Sequence, residues 1–140
     1  MVGGYLTVAS ILSGFCVTAL MFRVQREIEV QKDQKSDSWI AYADFLILAT
    51  ILVALILVVL PLVIFSQPSA KLTLFARSSC SAAAVLLAGY PAAILDHYGI
   101  LPGFSRKAPP APAAPIEKYI VPIFFALSVL AFVATIYFAQ

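Results

Sequence analysis

Four long runs of apolar residues constrain this chain more than any other feature. A bilayer core about 30 Å thick is crossed by roughly 20 helical residues rising about 1.5 Å each. The runs Tyr5 to Phe22, Phe45 to Ser66, Ser78 to Leu95 and Tyr119 to Ala139 each reach or approach that length. Lipid offers the backbone no hydrogen bonds, so each run must satisfy its own N–H and C=O groups as a helix. The expected fold class is therefore all-α: a polytopic integral membrane protein with four transmembrane helices in a single domain over residues 1–140. The expected helices cover roughly 5–25, 40–66, 75–95 and 117–139, joined by a charged loop over 26–38 and a Pro/Ala-rich loop over 101–115; Arg23 and Glu27, four apart, extend helix one a turn or two past the membrane.

Composition agrees. Only 11% of residues are charged and 62% are hydrophobic. A soluble domain carries about a quarter charged residues, so this chain lacks the polar cover for a water-facing surface. The expected partner is the lipid bilayer. A net charge of +2, with basic residues set among acidic neighbours, gives nucleic acid nothing to bind.

The runs differ in kind. Residues 45–65 are nearly all Leu, Ile, Val and Ala, which suits a helix facing lipid. The first run places Thr7, Ser10 or Ile11, Gly14 and Thr18 at steps of three and four, on one helical face. Ser10 and Gly14 form a small-xxx-small pair that lets helix backbones approach closely. The third run is rich in Ser and Ala, with Ala88 and Gly89 near its middle, and has the same packing character. Helices one and three are expected inside and helix two outside. Pro61 and Pro91 are expected near helix ends, and Pro122 in the first turn of helix four, where a missing N–H costs little.

Charge placement sets an expected orientation. The loop after helix one carries Arg23, Arg26, Lys32 and Lys35, and the loop after helix three carries Arg106, Lys107 and Lys118. The loop after helix two carries only Lys71 and Arg77. Seven basic residues against two put both odd-numbered loops in the cytoplasm and both termini outside. No basic segment precedes Tyr5, and the bulky Phe15 before Cys16 argues against lipoprotein cleavage, so residues 5–22 read as a retained span. A bacterial inner (plasma) membrane is the expected location.

No constellation points to catalysis, and the expectation is a non-enzyme without cofactor or metal. There is a single His, no glycine-rich phosphate loop, and no Cys or His cluster; Cys16 and Cys80 read as buried free thiols. Charges near the spans are costly in lipid and are the candidates for function. They are Asp44 at the start of helix two, Arg77 at the mouth of helix three, and Arg23 with Glu27 at the end of helix one. Each also has a plain interfacial reading, an acid at a helix N-terminus or a base reaching the headgroups. Asp96 and His97 form a further titratable pair, and Trp39, Tyr42, Tyr98 and Tyr119 read as an aromatic belt.

Leu12-Ser13-Gly14-Phe15 followed by Val24-Gln25, with Ile51-Leu52-Val53-Ala54 in helix two and Ile120-Val121-Pro122 leading to Phe132 and Tyr137 in helix four, resembles the Orai family of store-operated calcium channels. The matches cover about a third of the chain and share the family's helix count and order. The resemblance implies an oligomer whose first helices ring a pore. The Glu that forms that family's calcium filter aligns with Phe22, or with Arg23 if one residue is inserted, so the scaffold is implied without the filter. The family's basic segment before helix one has no counterpart here, and its termini are cytoplasmic, opposite to the Lys/Arg count.

Two functions are expected from these features. One is a small homo-oligomeric channel or channel-like protein, with Thr7, Ser10 or Ile11, Gly14 and Thr18 lining the path and Arg23 and Glu27 ringing one mouth. The other is a non-catalytic accessory or scaffold subunit that docks onto other membrane subunits through the same small faces.

Overall fold

The structure is a computed structural model and describes residues 2–33, 42–65, 67–97 and 117–138. Four helices account for them: α1 (Val2–Asp33), α2 (Ala43–Ile64), α3 (Ala70–His97) and α4 (Glu117–Phe138). Each contains a stretch long and apolar enough to cross a membrane. The protein is an all-α, membrane-embedded four-helix domain.

Local chemistry explains where the helices begin and end. α1 runs on to Asp33, so residues 26–33 are helix rather than loop. Arg26, Glu27, Glu29 and Lys32 in this extension suit water, and the part beyond Arg23 rises about 15 Å. α3 begins at Ala70, five residues earlier than expected. Ser69 starts it: its Oγ accepts from the Leu72 N–H at 3.2 Å, and its carbonyl accepts from the Thr73 N–H at 2.9 Å. α2 stops where Phe65 turns extended, with φ −96° and ψ 101°.

Pro61 lies near the end of α2 as expected, but Pro91 and Pro122 lie deeper in their helices than their sequence positions suggested. Pro91 sits within α3, and Pro122 is the sixth residue of α4 rather than part of its first turn. Pro61 shapes α2 most. Its ring would clash with the Leu57 carbonyl one turn back, and it has no N–H to offer. The helix answers by widening to a π-helix over Val53–Val59, in which the Leu60 N–H bonds the Leu55 carbonyl, five residues back. The buried face of α2 then advances in steps of four: Thr50, Ala54, Val58, Leu62.

α3 is the hub. It packs against α1, α2 and α4, and 39% of its apolar stretch is buried, against 28% for α2, 17% for α1 and 11% for α4. Its small residues make this possible, because helices in lipid associate by close van der Waals contact. Ala76, Ser79, Ala83, Leu86 and Ala93 are all buried. A Cβ added at Gly89 would collide with the Phe124 ring of α4, so the absence of a side chain there is what seats α4. Phe75 and Phe132 meet edge to face, 5.6 Å between centroids, toward the other end of the same helix pair.

Helix three is thus inner, as its composition suggested. Helices one and two exchange places. α2 packs against α1, α3 and α4, while α1 packs against α2 and α3 and is the flank. The physical reason is that Ala43, Ala54 and Thr50 give the otherwise bulky α2 a narrow buried face that α3 can approach. One apolar cluster joins α1, α2 and α3 through Ala9, Ala54, Val58, Leu62, Ala76, Cys80 and Ala83. A second joins α2, α3 and α4 through Ala43, Leu46, Leu86, Ala93 and Val121.

Candidate functional site

α1 carries the residues that sequence reasoning singled out, and the structure divides them between two faces. Ala9, Ser13, Cys16 and Arg23 are buried and face the bundle. Their steps of four, three and seven keep one side of the helix inward. Thr7, Ser10, Gly14 and Thr18 are all exposed on the rest of the helix, and nothing lies within 4 Å of a Cβ placed on Gly14. The four candidate path-lining residues therefore share an exposed, outward face.

That face is longer than the sequence pattern suggested. Thr7, Ile11, Gly14, Thr18, Met21, Gln25, Ile28 and Lys32 alternate in steps of four and three, and every one is exposed. A period of 3.5 residues is the seam of a left-handed coiled coil, on which a second helix can pack along its whole length. Nine residues from Val17 to Lys32, among them Thr18, Met21, Gln25 and Ile28, line an open groove of about 600 Å³ on this side; among the described residues its walls all belong to α1, so it is a helix face rather than a chamber. The two threonine hydroxyls are already engaged. Thr7 Oγ1 donates to the Gly3 carbonyl and Thr18 Oγ1 to the Gly14 carbonyl, each at 2.9 Å. Their lone pairs remain available outward.

Arg23 does not join this stripe. It is 7% exposed, turned toward α2, and its Nε donates to Asp44 Oδ1 at 3.3 Å. The Arg23–Asp44 pair bridges the end of the α1 span to the first turn of α2, a link of 21 residues in sequence. Glu27 lies one turn further along α1, with its side chain outside the described residues. So Arg23 and Asp44, expected as separate interfacial charges, are partners. Their sequence carried a signal: in two consecutive antiparallel helices, a base closing one span and an acid opening the next fall at the same depth.

Arg77 lies elsewhere. It is the eighth residue of α3, not its mouth, and is exposed at a cleft against the last turns of α4. Asp96 and His97 close α3, but their side chains, like Trp39 and Tyr98, lie outside the described residues. Tyr42 and Tyr119 are exposed near the ends of α2 and α4, where an aromatic belt would place them. No cluster of three or more metal-binding side chains occurs among the described residues. The chain matches no protein-family model, no curated protein and no solved structure.

Proposed function

We propose that this chain is a homo-oligomeric, channel-like membrane protein whose copies meet along the outer face of α1. The observation that carries the reading is the exposed stripe from Thr7 to Lys32, in coiled-coil register, on a helix held to the bundle only by its opposite face. Within the membrane the stripe is small or weakly polar at Thr7, Gly14 and Thr18. Beyond it, Gln25, Glu29 and Lys32 continue the same side into water, with the Gln25 amide donating to Glu29 at 3.4 Å. A ring of such helices presents threonine oxygens and a glycine backbone to a shared axis, and small polar linings of this kind conduct ions. The Arg23–Asp44 pair sets the rotation of α1, keeping its charge off the axis and the stripe on it.

The scaffold reading has one observation in its favour. Ile11, Phe15, Met21 and Phe22 are exposed on and beside the stripe, and Thr7 and Thr18 have committed their protons to their own helix. Such a face can be closed by helix packing without any water path.

Ion flux into liposomes, measured together with oligomeric mass in the same preparation, separates the two. A channel gives a discrete oligomer and a flux that Gly14→Leu abolishes at unchanged mass. A tight but non-conducting assembly that Gly14→Leu dissociates supports the scaffold. A monomer with no flux defeats the channel and leaves the small faces to other membrane subunits, as the scaffold reading has it.

A further inference from the structure

We propose that the cleft between the start of α3 and the end of α4 seats the phosphate of an anionic phospholipid against Arg77. The inference is independent of the channel reading. The cleft has a volume of about 300 Å³ and is lined by Arg77, Ser81, Ala134, Thr135 and Phe138. Arg77 lies seven residues into α3, about 10 Å along the helix and within its apolar stretch. A guanidinium at that depth needs a counter-charge, because the surroundings solvate it poorly.

Among the described residues no side chain supplies one. The neighbouring hydroxyls donate elsewhere: Ser81 Oγ to the Arg77 carbonyl at 3.3 Å, Thr135 Oγ1 to the Ala131 carbonyl at 2.8 Å. No ion pair reaches Arg77 among the described residues. The seven carboxylate residues are Glu27, Glu29, Asp33, Asp37, Asp44, Asp96 and Glu117. Each lies near the first or third interhelical connection, in or beside the end of α1, the start of α2, the end of α3 or the start of α4. Arg77 stands at the opposite end of the bundle, beside Phe138 of the last turn of α4. At the carboxylate end seven basic residues meet seven acidic ones, so the whole net charge of +2 belongs to Lys71 and Arg77. A second copy in the same membrane orientation brings like ends together and adds no Asp or Glu side chain.

The carbonyl end of α4 gives only partial negative charge. A lipid phosphate gives the rest, and its geometry fits the planar guanidinium fork. Ala134 and Phe138 make an apolar wall for the acyl chains, which favours a lipid over a free anion. Zwitterionic lipids serve less well, since their own ammonium competes for the phosphate.

Native mass spectrometry of the full chain, with equal phosphatidylglycerol and phosphatidylcholine of matched acyl chains, tests this. The expected result is retention of phosphatidylglycerol over phosphatidylcholine by about tenfold, the ratio one charge-assisted contact supports. Arg77→Gln should bring that ratio to parity, and Ala134→Trp, which fills the cleft and leaves the charge, should do the same. Lys71→Gln, outside the cleft, should keep it. An unchanged preference in both Arg77→Gln and Ala134→Trp overturns the site. Displacement of the lipid by equimolar inorganic phosphate overturns the assignment to a lipid.

Discussion

α1 and α3 are both rich in small residues, and they put them to different uses. In α3, Gly89 is pressed against Phe124, and Ala76, Ala83 and Ala93 are buried. In α1, Gly14 faces open space, and the small face looks away from the bundle. The buried side of α1 is instead fastened by Ala9 and Cys16 and, at the far end, by the Arg23–Asp44 pair. Small residues permit close approach, but they do not say which helix approaches. α3 uses them within one copy; α1 leaves them facing outward.

The largest effect should come from cutting the fastening of α1. Arg23→Ala removes the guanidinium that bridges α1 to the partly buried Asp44, and one-sided loss of such a pair costs roughly 3 kcal/mol. Denaturation in mixed micelles should register that loss, and hydrogen exchange should find it in α1 well before α3 and α4. Equal loss of protection in all four helices would mean that α1 is no separately docked flank. The Arg23→Ala, Asp44→Ala double variant should recover part of the loss, since no charge is then stranded.

Next comes the buried glycine. Gly89→Ala forces the Phe124 ring to move and should cost about 1–3 kcal/mol, as overpacking of a close contact does. Adding Phe124→Leu should restore part of it. A variant as stable as the parent would show that α4 does not depend on that approach. The contrasting substitution is Gly14→Ala, which should change the stability of a dissociated copy by no more than about 0.5 kcal/mol. Thermal unfolding under dissociating detergent reads that directly. A large loss there would place Gly14 in an internal contact and remove the basis for an outward seam.

Another small effect, of opposite sign, concerns two buried hydroxyls. Ser13 Oγ on α1 and Ser79 Oγ on α3 have no hydrogen-bond partner among the described residues. Removing an unsatisfied hydroxyl relieves its desolvation cost, so Ser79→Ala should be neutral or stabilising by up to about 1 kcal/mol. Ser13→Ala should behave likewise. Destabilisation by either would reveal a partner, such as a buried water, at that hydroxyl.

Much of the architecture was legible from hydropathy alone, because length and apolar content decide whether a helix can cross lipid. The residues Tyr5 to Phe22 and Phe45 to Ser66 needed no tertiary information to be recognised as spans. Helix ends were less legible. The spacing of Arg23 and Glu27 points to a helix running a turn or two past the span, but residues 26–33 read as loop, although Arg26, Glu27, Glu29 and Lys32 are sound helix formers. The start of α3 depended on Ser69, whose capping role shows only once its hydroxyl meets the Leu72 N–H. The π segment had a readable cause in Pro61, but nothing local says whether a helix kinks, ends or widens there.

The candidate site divided in the same way. Thr7, Gly14 and Thr18 were recognisable as one face from their spacing, since helical periodicity is a property of the chain itself. Which way that face points was decided by α2 and α3, which occupy the opposite side of α1. Arg23 was recognisable as a charge at the end of a span, but its burial against Asp44 required two helices to be placed side by side. Four spans, one small-residue face and the absence of carboxylates around Lys71 and Arg77 follow from the order of residues. The central place of α3, the inward turn of Arg23 and the cleft beside Arg77 follow from packing. Lipid treats all apolar helices nearly alike, so hydropathy marks the spans, and only the fit of side chains between them selects their neighbours.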